Sequence, residues 1–430
     1  MSPEHNLFLF LLPNTASYTS FGSLIFAFLL FLFFTLYLFP GGPAWALSKN
    51  RAANASIPGQ PGNSLFIFNT RAPHVLLSSL ANSLKAKRVM AFSVGFTRYI
   101  ISSHPITAKE ILNGSAFVNR PIKESAYELL FHKAIGFAPY GEYWRNLRRI
   151  SSTYLFSPKR IASFEVFRIQ IGLTMVGDVK RLMETQECAE IKEVLRFGSW
   201  NNVMKTVFGK CYEFGQNGNG NDVDGVEFEK LVREGYDLLG VFNWSDHFPL
   251  LGLLDLQGVR KRCRRLVSKV NVFIGKIIEE HKVKRAGGVF GKESDSDEDF
   301  VDVLLGLEKE YNLSDSDMIA VLWEMIFRGT DTIAILLEWI LARMVLHPGI
   351  QSKAQSEIDT LVGTSRPVSD FDIPNLHYLQ CIILRVVQCN KGESSMVALP
   401  FKWGWLPTES CMHILLYSAF PDQLLPLSRL

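Results

Sequence analysis

The segment 328–332 (RGTDT) interrupts an otherwise apolar run with residue types that could do chemistry. The residues around it, 318–346, have helical periodicity. Threonine hydroxyls bond back to a carbonyl one turn earlier and bend a helix, and Gly329 and Thr332 lie on one face. One interpretation is a notch where a small ligand touches the backbone beside the acid Asp331 and a hydroxyl. The other is a helix kink with a polar patch at a packing crossing.

A second predicted helix, near 141–156, carries Trp144 and Arg148 four residues apart, so both side chains point the same way. An indole N–H beside a guanidinium is a donor pair suited to a carboxylate or a phosphate. The alternative is an amphipathic helix whose arginine face is solvated. The sequence leaves both interpretations open.

Other kinds of site are not indicated. Six cysteines in 430 residues, beginning at Cys188, are too sparse for a disulfide scaffold. The sequence contains no CxxC and no HExxH, so it predicts no zinc site. A net charge of +3 argues against a dedicated nucleic-acid binder, and 47% hydrophobic residues argue against disorder over most of the chain.

The elements that must position these residues are mostly helices. Short apolar runs between breakers predict strands within 63–103, for example at 64–68 and 99–101. Solvated loops are predicted at 215–224 and 294–299. Helices are predicted near 141–156, 161–185, 226–241, 258–284, 299–309, 315–346 and 350–362. The chain is therefore expected to be mainly α, with a small β portion near its start.

The N-terminal region predicts the compartment. Residues 21–39 are apolar throughout, and nineteen helical residues span ~28 Å, close to the hydrocarbon core of a bilayer. Lys49 and Arg51 follow this stretch and Glu4 precedes it, which places the body in the cytosol. The competing interpretation is a cleaved signal peptide, for which 44–46 (AWA) offers a cleavage pattern. The apolar stretch is long for a signal peptide, so an uncleaved anchor is favoured.

From about residue 21 to 385 the chain resembles plant microsomal cytochrome P-450 monooxygenases, most of all the plant family numbered 78. The resemblance rests on segments in the family's order: 117–121 (FVNRP), 137–145 (FAPYGEYWR), 299–305 (DFVDVLL), 329–332 (GTDT), 347–349 (HPG) and 372–380 (DIPNLHYLQ). It implies the P-450 fold, mainly α (α+β) with a small N-terminal β region, incomplete at the C-terminus and preceded by one transmembrane helix.

The resemblance also implies roles. Trp144 and Arg148 would hold a haem propionate, and Gly329 would border the cofactor. Asp331 and Thr332 would be the catalytic acid–alcohol pair that relays protons during oxygen activation. The implied cofactor is haem (iron protoporphyrin). The implied partners are the endoplasmic reticulum membrane, an NADPH-dependent reductase and a lipophilic, fatty-acid-like substrate, with no nucleic acid.

A substrate entrance is implied as well. The segment 242–254, with Trp244, Phe248, Leu250 and Leu251, would match a lid that dips into the membrane. The basic run 260–265 follows it, and either a solvated helix face or a contact with anionic lipid would explain the charge.

The sequence departs from the family in two places. A haem-thiolate enzyme needs a cysteine ligand, and no cysteine here lies in a Phe-x-x-Gly-x-Arg-x-Cys-x-Gly setting. The family's Glu-x-x-Arg pair has Ile382 in place of the glutamate before Arg385, and an unpaired arginine in a buried network would be costly. We therefore expect no thiolate-type Soret band from the carbon monoxide complex of this chain.

Residues 386–430 carry no family pattern and are typical of sequence read from a retained intron or a shifted gene model. A P-450 domain cut short there would leave the apolar 318–346 helix without some of its partners. Two functions stay open: the monooxygenase, or a membrane-tethered, catalytically dead product without haem-thiolate ligation. The predicted segments are a lumenal N-terminus (1–20), a transmembrane anchor (21–39), a Pro/Gly-rich hinge (40–62), a truncated P-450 domain (63–385) and an unrelated tail (386–430).

Overall fold

The structure is a computed structural model. It describes residues 15–49, 55–70, 73–120, 123–186, 189–211, 223–287, 298–389 and 397–400. Chain contacts divide these residues into two compact units. The first unit holds the described residues up to Ile111, together with His247–Pro249 and the strand at 397–400. The second unit holds the rest and contains both predicted site segments.

The described α-helices are α1 (Thr15–Tyr37), α2 (Pro43–Ala46), α3 (Pro73–Ser83), α4 (Pro105–Asn113), α5 (Glu124–Glu128), α6 (Glu142–Ile150), α7 (Pro158–Ser163), α8 (Glu165–Gln186), α9 (Ile191–Phe208), α10 (Val223–Gly240), α11 (Trp244–His247), α12 (Val259–Ala286), α13 (Phe300–Tyr311), α14 (Asp315–Gly329), α15 (Asp331–Leu346), α16 (Pro348–Leu361) and α17 (His377–Cys389). The described strands are β1 (Gly59–Asn63), β2 (Met90–Val94), β3 (Thr97–Ser102) and β4 (Val397–Pro400). The predicted fold class, mainly α with a small β region, is confirmed.

The strands of the first unit form one sheet in the order β1-β2-β3-β4. β1 pairs parallel to β2, and the other neighbours are antiparallel. The β2–β3 hairpin turns through two residues, the first of which is Gly95 at a φ of 56°, a conformation that glycine adopts without strain. The strand predicted at 64–68 is wrong, since Leu65–Asn69 form a 3₁₀ helix that buries Ile67 on one side.

The segment predicted as a hinge contains α2 and most of β1. Trp45 of α2 is buried, and its indole Nε1 donates to the carbonyl oxygen of Phe92 at 3.0 Å, which fastens α2 to strand β2. Taken singly, none of the helices in the described ranges has both the length and the hydropathy of a membrane span. Gly22–Tyr37 forms a shorter apolar stretch, and the pair 315–346 and 348–361, bent by 108°, meets both criteria only together.

The core of the second unit surrounds α14, which contacts α9, α10, α12 and α13. Its largest fully buried side chains include Trp323, Phe131, Phe208, Phe228 and Phe300. Burying one such aromatic side chain contributes roughly 1.5–3 kcal/mol relative to leaving it in water. The helix that carries the candidate site is thus held from several sides.

Ser314 is the N-cap of α14. The backbone N–H of Asp317 donates to Ser314 Oγ at 3.2 Å, and the Ser314 N–H donates to Asp317 Oδ2 at 3.1 Å. This reciprocal pair satisfies two donors that a helix start leaves unpaired. Of the two predicted loops, most of 215–224 and of 294–299 lies outside the described residues.

The apolar burial of the long helical region changes at its middle. α14 buries nine side chains, whereas only Ala334 and Ile340 of α15 are buried. Trp339 is 44% exposed and Val345 is 75% exposed. An apolar surface therefore begins on α15.

Candidate active site

The predicted helix at 315–346 is broken at Thr330, where the chain has a φ of −91° and a ψ of −71°. Thr330 Oγ1 donates to the Ile326 carbonyl at 3.2 Å, and Thr332 Oγ1 donates to the Arg328 carbonyl at 2.9 Å. Both hydroxyls bond to a carbonyl four residues earlier, the arrangement that bends helices. The bend that the sequence predicted is confirmed, and the structure adds a full interruption of the helix.

Helix α9 stabilises this break. Ser199 Oγ donates to the carbonyl oxygens of Thr330, at 2.6 Å, and of Gly329, at 3.3 Å. The Thr330 carbonyl also accepts from the Ala334 N–H of α15, at 3.4 Å. A Cβ atom on Gly329 would lie 2.7 Å from Cγ2 of Val203, too close for any real contact. Glycine is therefore required here because α9 packs against the backbone, and the α9 side of the predicted notch is filled.

Asp331 is the titratable group of the break. Its carboxyl is partly buried, and burial raises its pKa above the ordinary value, against the opposing effect of Arg196 and Lys192 on α9. A carboxyl of this kind holds its proton to higher pH than a solvated aspartate. Tyr236 lies close by, donating its hydroxyl to the carbonyl of Phe327, and its pKa is raised chiefly by burial.

A charged group lies one turn before the break. Glu324 is 1% exposed, and both of its carboxylate oxygens accept from the Gly136 N–H, at 2.8 and 3.1 Å. Arg328 Nε donates to the same carboxylate at 2.9 Å, and its guanidinium stacks 5.5 Å from the Phe137 ring centre. Burial and the nearby positive charge of Arg328 lower the pKa of the Arg120 guanidinium. This pair was not predicted from the sequence, although Glu324 and Arg328 are four residues apart, the spacing at which an acid and a base pair on a helix.

Trp144 and Arg148 both lie on α6, as predicted, but they do not form a free donor pair. Trp144 Nε1 donates to the carbonyl oxygen of Ile135 at 2.9 Å, so the indole fixes α6 to the preceding turn. Arg148 is exposed, and within the described ranges no hydrogen bond or ion pair engages its guanidinium. Of the two, Arg148 is the group available to an anionic ligand.

The described free cysteines are Cys211, Cys263 and Cys381. Cys263 is fully buried in α12, where burial raises the pKa of its thiol to about 12. Cys211 and Cys381 are exposed, and the side chains of the other three cysteines lie outside the described residues. The resemblance assigns a haem propionate to Arg148 and the oxygen side of a haem to the broken helix, and both assignments stay predictions. The thiolate ligand is not supplied by any described cysteine.

The arginine of the broken Glu-x-x-Arg pair was expected to be unpaired in a buried network, but the structure exposes it. Ile382 is buried on α17, whereas Arg385 points to solvent. An exposed guanidinium keeps its hydration, so the cost predicted for a buried unpaired arginine does not arise in this structure.

Two arginines of the basic run 260–265 pair with α5. Arg260 Nε donates to Glu124 Oε1 at 2.7 Å, and Asn243 Nδ2 donates to the other oxygen of that carboxylate at 2.7 Å. Arg264 makes a two-bond contact with Glu128, at 2.8 and 2.9 Å. The predicted lid therefore has one fixed end at α5.

Beyond that end, the lid segment is open to solvent. Leu250 is 83% exposed, Leu253 84% and Leu254 65%, so three apolar side chains lie close together on the surface. A contiguous exposed apolar patch of this kind is typical of a membrane or partner contact.

Comparison with known proteins gives a consistent result. The Cytochrome P450 family model matches residues 61–384. Cytochrome P450 78A5 of Arabidopsis thaliana is 57% identical over 389 residues, which cover 89% of this chain and 72% of that protein. Cytochrome P450 78A3 of Glycine max is 46% identical, over 84% of this chain and 67% of its own length. Cytochrome P450 71A1 of Persea americana is 33% identical, over 72% and 62% respectively.

Proposed function

Since the chain belongs to the cytochrome P450 family, we propose that it is a haem-thiolate monooxygenase that oxidises a lipophilic, fatty-acid-like substrate with O2. Family membership implies haem as the cofactor and a reductase as the electron source. The observation that carries the proposal is the helix break at Thr330. Directly after it come the carboxyl of Asp331, whose pKa burial raises, and the hydroxyl of Thr332.

Within this proposal the chain's own residues bind, orient and hold protons, and a bound haem would supply the oxygen chemistry. Arg148 would bind a propionate carboxylate, with Trp144 holding α6 in place. Asp331, whose pKa is raised by burial, would hold its proton to higher pH than a solvated aspartate and exchange it with the hydroxyl of Thr332. Gly329 would act through its backbone, because α9 occupies the space of a side chain there.

A second candidate function follows from the cysteines. It is a membrane-tethered product without haem-thiolate ligation and without catalysis, acting through its partners. What favours it is that no cysteine has the family's ligand setting. The same broken helix would then be a structural element only.

We also propose the location and the segment order expected from the sequence. In that proposal 21–39 anchors the chain in the endoplasmic reticulum membrane, with 1–20 lumenal and the body from 63 in the cytosol. What supports it is the apolar run of exposed side chains on α1, together with the exposed leucines of the lid. Attachment of glycan to Asn113 in cells would contradict a cytosolic body.

The two candidate functions are separated by spectroscopy on the full chain. The purified protein is loaded with haem, reduced and exposed to carbon monoxide. A thiolate-type Soret band would support the monooxygenase, and Asp331→Asn should keep that band while losing substrate turnover. A haem complex without that band, or no haem uptake at all, would support the second candidate.

A further inference from the structure

We propose that His281, Asp299 and Asp302 form a binding site for one zinc-like divalent cation, where α12 meets the start of α13. His281 comes from α12 and the two aspartates from the N-cap and the first turn of α13, and their possible ligand atoms all lie within 4.8 Å of one another. The residues are 3%, 5% and 5% exposed, so the cluster is buried. It lies apart from the broken helix and belongs to none of the roles described above.

The imidazole is oriented for ligation. His281 Nδ1 lies 2.8 Å from the carbonyl oxygen of Ile277, one turn earlier. A carbonyl only accepts, so Nδ1 carries a proton, and Nε2 is directed at Asp299 Oδ2, 2.7 Å away. Metal-binding histidines commonly use one ring N–H on a backbone carbonyl in this way, which fixes the other nitrogen toward the ion. A bound cation would replace the proton that Nε2 shares with Asp299, and that proton would pass to solvent.

The carboxylates of Asp299 and Asp302 differ in their hydrogen bonds. Asp299 is the N-cap of α13, and its Oδ1 accepts from the Asp302 N–H at 3.0 Å, which leaves Oδ2 for the cluster. The ion pair between His281 and Asp299 does not account for Asp302. Its buried Oδ1 has no hydrogen-bond partner among the described residues. Leaving such a group unsatisfied destabilises the folded chain, and more so when the group is charged. A cation held by the trio would remove that cost.

Charge and ligand type favour a zinc-like ion. Two carboxylates and a neutral imidazole carry a charge that balances a dication. Zinc bonds to nitrogen and oxygen at about 2.0–2.2 Å, so tetrahedral ligand atoms are ~3.4 Å apart, and small side-chain movements would bring the trio to that spacing. Calcium and magnesium prefer all-oxygen sites. Gly209 closes the site at the end of α9, since a Cβ there would lie 2.6 Å from Asp299 Oδ2.

The sequence analysis predicted no zinc site, because the spacing of these three residues matches no known pattern. The ligands become neighbours only when the end of α12 folds back along the start of α13. Only the fold supplies this information.

The test uses the full chain in detergent after EDTA treatment. Zinc chloride is titrated by calorimetry, and bound zinc is counted by elemental analysis after gel filtration. The expected result is one zinc per chain, with affinity at least tenfold weaker in His281→Gln and in Asp302→Asn. His132→Gln is the matched control, because His132 is a half-buried histidine of the same unit that lies outside the cluster, and it should bind zinc as the unchanged chain does.

Asp302→Asn also protects the test against misfolding. In EDTA it should unfold at a temperature no lower than the unchanged chain, because the amide replaces a buried carboxylate whose Oδ1 has no hydrogen-bond partner among the described residues. Added zinc should raise the unfolding temperature of the unchanged chain and leave that of Asp302→Asn where it was. Absence of zinc binding by the unchanged chain, or equal binding and equal stabilisation in Asp302→Asn, would overturn the proposal. Neither measurement requires haem or enzymatic activity.

Discussion

Gly329→Ala tests whether the break is a packing feature or an open notch. A Cβ at this position would lie 2.7 Å from Val203 Cγ2, about 1 Å inside the optimal separation of two carbon atoms. Overpacking of this kind costs about 1–3 kcal/mol, and the gain in helix propensity from glycine to alanine returns at most about 1 kcal/mol. The variant should therefore be destabilised by about 1–2 kcal/mol.

A double-mutant cycle identifies the cause. Val203→Ala removes two methyl groups from a buried site and should cost about 2 kcal/mol alone. In the double variant the new methyl group occupies the space that valine vacated. It should therefore be about 1–3 kcal/mol more stable than the sum of the single effects predicts.

The assay is urea unfolding of the full chain in detergent, followed by far-ultraviolet circular dichroism and compared at a common slope. Gly172→Ala on α8 is the control, because nothing lies within 4 Å of a Cβ there, and it should be neutral or stabilising. If Gly329→Ala behaves like Gly172→Ala, or if the cycle shows no coupling, Gly329 borders open space and our account of the break is wrong.

Three further predictions concern other groups. At pH 8 the buried thiol of Cys263, with its pKa raised to about 12, is thiolate in only ~10⁻⁴ of molecules, so intact mass should show alkylation at exposed Cys381 and none at Cys263 until the chain unfolds. Glu124→Gln should destabilise the lid's fixed end by about 1–2 kcal/mol through its contact with Arg260, seen as faster proteolysis within 250–258; an unchanged cleavage rate would contradict this. Burial raises the pKa of Asp331 in the folded chain, so the free energy of unfolding should fall as the pH rises from the unfolded pKa through the folded pKa. Asp331→Asn should flatten that part of the stability–pH curve, measured by thermal unfolding. An unchanged curve would exclude burial of Asp331 as the cause.

Much of the fold could be predicted because periodicity is a local signal. The helices that were predicted in the second unit begin and end close to the predicted limits, whereas α9 and α17 were not predicted. The run 64–68 failed because a short apolar run suits a strand and a single helical turn equally. Local pattern does not decide between them, whereas the packing of Ile67 does.

The candidate site was predictable only in part, for the same reason. The bend at 328–332 follows from local hydrogen bonds, in which threonine hydroxyls donate to carbonyls four residues earlier. Its closure by Ser199 and Val203 depends on a helix more than 120 residues away, which no local pattern contains. Trp144 likewise was predicted as a ligand donor, and a carbonyl that only the fold brings near takes its N–H.

The interruption at Thr330 has a consequence for how the second unit opens. An intact helix transmits fraying from one turn to the next through its own hydrogen bonds, but here the ladder stops between two halves with different surroundings. α14 lies in the core, so its amides should exchange with deuterium only on global unfolding. α15 buries two side chains, so its amides should exchange through local openings of much lower free energy. The threonine then marks a border between two cooperative units, and amide exchange should change abruptly across a single residue.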